Sequence, residues 1–101
     1  TGVQMDVALT NVRAAVEADS SLAHFGADLD TLESLHRGER VNLFAAAAFN
    51  ARVQHALRSN NSVDSEEVVW IMEVAHDVNA RNGDYTLDHY SEMTSTTPVE
   101  N

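Results

Sequence analysis

The alternation of apolar and polar positions predicts helices along nearly the whole chain. Between residues 3 and 18, Met5, Ala8, Leu9, Val12, Ala15 and Val16 recur at helical spacing and fall on one face. A thinner stripe on the same segment holds Val3, Val7, Ala14 and Ala18. Asp19, Ser20 and Ser21 then offer capping oxygens, and Leu22, Ala23 and Phe25 predict a short helical turn over 20–25 that ends at Gly26. Residues 26–38 are the least regular part: Leu29, Leu32 and Leu35 supply apolar anchors, and Arg37-Gly38 reads as a break.

The longest predicted helix covers residues 39–59 and contains four consecutive alanines, Ala45 to Ala48, between Phe44 and Phe49. One face carries Leu43, Ala46, Phe49, Val53, Ala56 and Leu57, the other Phe44, Ala47, Ala48, Ala51 and His55. A helix with two apolar stripes belongs inside a bundle or at a subunit interface. Glu39 and Arg40 stand at the start of this segment, where the helix dipole favours Glu39 and a surface ion pair is expected. Asn60-Asn61 reads as a turn, and Asp64-Ser65-Glu66-Glu67 as a capping box with Val63 stapled against Val68. The helix over 65–82 that follows turns Val68, Ile71, Met72, Ala75 and Val78 to the core, with Trp70 and Val74 on a shoulder, and Asn82-Gly83 stops it. A last short helix over 86–93 is capped by Thr86 and has Leu87, Tyr90 and Met93 on its apolar side. Residues 94–101 are polar and are expected to be disordered.

These elements predict an all-α fold: a small antiparallel helical bundle in one domain over residues 1–93. It has three main helices (3–18, 39–59 and 65–82) and short helices near 20–25 and 86–93. A chain of 101 residues is one domain, and it needs no staples to bury a core. The absence of cysteine excludes a disulfide framework and thiolate metal sites.

Charge narrows the partners. Sixteen acidic residues face six basic ones, all arginine, for a net charge of −10. Such a chain repels a phosphate backbone and an anionic membrane surface, so neither nucleic acid nor direct membrane contact is expected. An acidic decoy that mimics nucleic acid is a further reading, but it rests on charge alone, and the acids are spread over solvent faces.

Two Glu-x-x-His matches, Glu33 to His36 and Glu73 to His76, offer a possible source of chemistry. Residues three apart on a helix share a face, and di-metal carboxylate bundles use two such pairs with two more glutamates. Glu17 with Glu66 or Glu67 could fill the remaining places. Against this, short matches arise readily in an acidic helical chain, and Glu33 and His36 lie in the least regular segment. His55, one turn after Arg52, could act as a base or ligand in a pocket. It could equally be a half-buried histidine bonded to a carbonyl, and no spaced nucleophile or oxyanion loop accompanies it. Trp70 marks a partner surface if exposed and the edge of the core if covered by Tyr85 or Tyr90.

Asp19…Leu22-Ala23, Asp28-Leu29-Asp30…Leu32, Glu39-Arg40 with Phe44, Gln54-His55, Val63-Asp64…Glu67…Trp70 and Gly83 follow one another in order. This order resembles an uncharacterised bacterial family of short proteins, in which an N-terminal membrane helix precedes a small all-helical soluble domain. The likeness spans residues 19–90. The chain departs from it in lacking the membrane helix and in having Asn60-Asn61 where a glycine turn is usual. The resemblance implies no known activity. It implies a tether upstream of Thr1 and a place on the cytoplasmic side of an inner membrane; without an anchor the location is the cytoplasm.

Together these features lead to the expectation of a non-enzymatic, cofactor-free interaction module that binds itself as a homodimer or binds another protein. Phe44, Ala47, Ala48, Ala51, His55 and Trp70 are its interface candidates. The alternative is a metal- or small-ligand-binding bundle that uses Glu73, His76, Glu33 and His36.

Overall fold

The chain is all-helical. A computed structural model describes residues 2–60, 63–82 and 84–95. Its helices are α1 (Gly2–Ala18), α2 (Gly26–Arg37), α3 (Leu43–Asn60), α4 (Ser65–Ala80) and α5 (Leu87–Ser95), with a 3-10 helix, Ser20–Phe25, between α1 and α2. Among the described residues there is no strand.

The start signals act as their chemistry dictates. The Asp19 carboxylate accepts from the Ser21 N–H at 3.0 Å and from the Ser21 hydroxyl at 2.7 Å, opening the 3-10 helix. Those bonds, the side-chain one first, hold the Asp19 carboxyl below its ordinary pKa. Asp64 caps α4 by accepting from the Glu67 N–H at 3.0 Å. Thr86 accepts from the His89 N–H at 3.3 Å at the head of α5. Asn82, just past α4, takes the left-handed conformation at φ 53° that its αL signal predicts. Of the expected polar tail, the first two residues continue α5, which ends at Ser95, and the rest lies outside the described residues.

Residues 26–38 are not irregular. They form a further helix, α2, which buries Leu29, Leu32 and Leu35. Gly26 does not break the chain. It has φ −55° and ψ −42°, so the 3-10 helix runs straight into α2. The bundle therefore has four principal helices where the pattern predicts three.

The break after α2 is also displaced by one residue. Gly38 has φ −82°, while Glu39 takes the left-handed φ of 58°. The Arg40 N–H reaches the Leu35 carbonyl at 2.9 Å and the Glu39 N–H reaches the His36 carbonyl at 3.0 Å. That pair of bonds is a Schellman motif with glutamate at the position glycine favours. Glu39 thus closes α2 and does not open the next helix. Helix α3 begins four residues later, at Leu43, because Asn42 caps it: its side-chain oxygen accepts from the Ala45 N–H at 2.9 Å.

The core gathers Met5, Leu9 and Val12 of α1, Leu29 and Leu32 of α2, Phe49 and Val53 of α3, and Val68, Ile71 and Val78 of α4. Helix α1 packs on α2, α3 and α4. Helix α2 also packs on α4, and α5 lies against α3. Polar ties lock the arrangement. The Asn79 side chain donates to the Asp28 carbonyl at 2.9 Å, joining α4 to α2. The Asn42 side chain donates to the Tyr85 carbonyl at 2.6 Å, joining the head of α3 to the segment before α5. On the surface Arg13 bridges α1 to Asp30 at 2.9 Å and to Glu33 at 3.6 Å on α2.

The most enclosed helix is α4, not the alanine-rich one. Half of its sixteen residues are buried, Trp70 and Val74 among them. The run Val68-Val69-Trp70-Ile71-Met72 is apolar all round, as a core helix is. Helix α3 buries Ala45, Ala48, Phe49, Arg52, Val53 and Ala56, but leaves Leu43 70% exposed.

Candidate functional site

The residues predicted for an interface divide into two groups. Ala48 is fully buried, and Trp70 is only 8% exposed, covered by its own chain. Neither can meet a partner in this conformation, which corrects the expectation for both. Ala47, Ala51 and His55 are half-buried, and Phe44 is partly covered by Tyr90, with ring centroids 6.3 Å apart.

A shallow hollow of about 360 Å³ follows the outer side of α3, lined by Leu43, Ala47, Asn50, Ala51 and Gln54, with Gln4 of α1 at its border. Leu43, Ala47, Asn50 and Gln54 recur at helical spacing, so they form one continuous strip. None of the six carries a charge. The 16 acids all lie outside residues 40–63. Helix α3 is the one main helix without a carboxylate in an otherwise acidic chain. Val3 and Val7 of α1, 75% and 52% exposed, share a helix with Gln4, and Val7 stands one turn from it. Sequence reasoning assigns Leu43 to the core face. Around α3, Leu43 stands opposite the buried Ala45, Ala48, Arg52 and Ala56, so it faces outward.

The inner flank of α3 holds a second cluster. The Arg52 guanidinium lies over the Trp70 ring, 3.8 Å from its centroid, and is almost wholly buried. His55 meets the same ring edge-on, at 5.0 Å and 89°. A desolvated cation on an indole face is worth ~2 kcal/mol. Burial is the main influence lowering the Arg52 pKa, and the Glu73 carboxylate opposes it. A guanidinium keeps its charge through such a shift. Arg52 is therefore a buried cation that the hydrophobic pattern alone conceals. The visible signal was a charged residue falling between Phe49, Val53 and Ala56 on the core side of the helix.

The Glu-x-x-His pairs do not converge. The Glu33 carboxylate stands between Arg13 at 3.6 Å and Arg37 at 3.7 Å. His36 Nε2 is 2.8 Å from Asp6 of α1. His76 is exposed and 4.0 Å from Asp28, and Glu73 faces Arg52. Among the described residues no three His, Asp or Glu side chains gather in a way that could hold a metal. The nominated Glu17 is exposed on α1, and Glu67 is buried near the head of α4.

An open groove of about 590 Å³ lies beside the α2–α3 loop, lined by Asp6, His36, Arg37, Glu39, Asn42 and the apolar Val41, Leu43 and Ala46. Its His36–Asp6 contact joins α1 to α2 on the surface.

No helix among the described residues is long and apolar enough to cross a membrane. Comparison with family models, with curated proteins and with solved structures finds no match to this chain.

Proposed function

We propose that this protein is a non-enzymatic helical interaction module that pairs with a second copy of itself through the outer face of α3. The observation that carries this reading is the neutral strip of Leu43, Ala47, Asn50, Ala51 and Gln54 in a chain of net charge −10. Two such chains repel each other wherever carboxylates meet. The acid-free α3 is the surface on which like-charged copies can approach. Ala47 and Ala51 let the partner's backbone come close, and the 70%-exposed Leu43 supplies a knob for the hollow opposite. A two-fold contact brings the same patch to both sides, so one small-residue strip serves both halves. Val3 and Val7 extend the apolar surface along α1. The family resemblance adds a place for the module beside an inner membrane, where an upstream tether would raise the local concentration of copies.

Leu43→Asp tests this reading directly. The side chain is exposed, so helicity by circular dichroism should be unchanged, while each copy gains a carboxylate on the strip. Association measured by sedimentation velocity should be lost. A Leu43→Asp protein that associates as the wild type does would overturn the assignment of this face.

A further inference from the structure

We propose that the pocket at the junction of α3, α4 and α5 binds a small oxyanion, a phosphate or carboxylate group carried by a small molecule. The pocket holds about 140 Å³ and is lined by Ala51, Arg52, His55, Arg58, Trp70 and Thr94. At ~30 Å³ per water molecule, that is room for about four or five waters, the size of a phosphate ion or a small carboxylate.

The lining reverses the sign of the rest of the molecule. Two of the six arginines and one of the five histidines meet here, although the chain carries 16 acids. The Trp70 ring under the Arg52 guanidinium fixes the plane of its donors, so less side-chain freedom is lost when an anion binds. His55 meets the same indole edge-on, at 5.0 Å and 89°. Arg58, exposed and three residues beyond His55 on α3, brings a second cation to the rim. The Thr94 hydroxyl donates to the Tyr90 carbonyl at 2.7 Å. Charge-assisted N–H bonds from an arginine fork suit a planar carboxylate or a phosphate. Glu73 acts electrostatically on Arg52 and would compete with the anion.

Trp70 is the chain's single tryptophan, so its fluorescence reports on this pocket alone. The full chain is titrated with inorganic phosphate and, separately, with acetate, at constant ionic strength with chloride as the balancing ion. The expected result is a saturable, single-site change with at least one of the two. Phosphate alone would assign the phosphate class, acetate alone the carboxylate class. Arg58→Gln should weaken binding by roughly tenfold or more while leaving the circular dichroism spectrum intact. Glu73→Gln should tighten it. Arg52→Met should abolish it, and if that variant does not fold, Arg58→Gln decides the matter. Failure of both anions to saturate the signal, or equal binding by wild type and Arg58→Gln, would overturn the proposal.

Discussion

Replacing Ala48 with leucine puts an isobutyl group where a methyl now sits at 0% exposure, among Phe49, Val53 and the helices that pack on α3. A filled core has no room for the added carbons, and overpacking of this kind costs ~1–3 kcal/mol. For a domain of about 100 residues each kcal/mol moves Tm by about 4–8 °C, so a loss of around 10 °C is expected. The neighbouring Ala47→Leu is the contrast. Ala47 lies along the outer hollow, half-buried, and leucine there should change monomer stability by less than ~0.5 kcal/mol. Thermal and urea unfolding followed by far-ultraviolet circular dichroism would read both, at two protein concentrations roughly tenfold apart, because association makes Tm depend on concentration. Ala45, also at 0% exposure, should behave like Ala48. If Ala47→Leu proves as damaging as Ala48→Leu, or Ala48→Leu is tolerated, the orientation of α3 derived above is wrong.

Two further predictions concern strain and ionisation. Glu39→Gly should stabilise the fold by about 1 kcal/mol in urea unfolding, because the left-handed φ of 58° suits glycine and opposes a Cβ. Loss of stability in that variant would contradict the Schellman reading of the α2 terminus. Tyr85 is 2% exposed, and burial first, then the Asp77 carboxylate, push its phenol well above the ordinary value of 10.0. A raised native pKa means that this stabilisation is complete below pH 10 and falls as pH rises beyond it, by about 1.4 kcal/mol per pH unit while the unfolded tyrosine alone ionises. The chain has no lysine to blur that window, since all six basic residues are arginine. The Tyr85 hydroxyl lies beside the Asp77 carboxylate, and Tyr85→Phe removes the group that ionises, so it should flatten the alkaline decline. An unchanged decline in Tyr85→Phe would assign it elsewhere.

Helix identity was legible wherever a stripe and a cap coincided. Met5, Leu9 and Val12 mark α1, and Asp64 and Thr86 mark the heads of α4 and α5 through side-chain oxygens that need no tertiary partner. Helix α2 was hidden because its N-cap, Phe25, has no capping side chain, and because glycine in the right-handed conformation looks the same in sequence as glycine that ends a helix. The start of α3 depended on Asn42, whose second bond goes to Tyr85, 43 residues away, a tie that no local pattern contains. The small-residue stripe was visible, but spacing alone could not say that the bundle would bury Ala48 and leave Ala47 and Ala51 half-open. The Glu-x-x-His pairs failed as a site for a related reason. Shared spacing places two side chains on one face, but convergence requires facing helices to agree, and here each member meets a different counter-charge.

The most direct test of self-association through α3 is the mass of the unmodified protein in solution. Each chain weighs 11.0 kDa, so sedimentation equilibrium over a wide concentration range should approach twice that, about 22 kDa, at the upper end. A single species at 11.0 kDa across the whole range would contradict it.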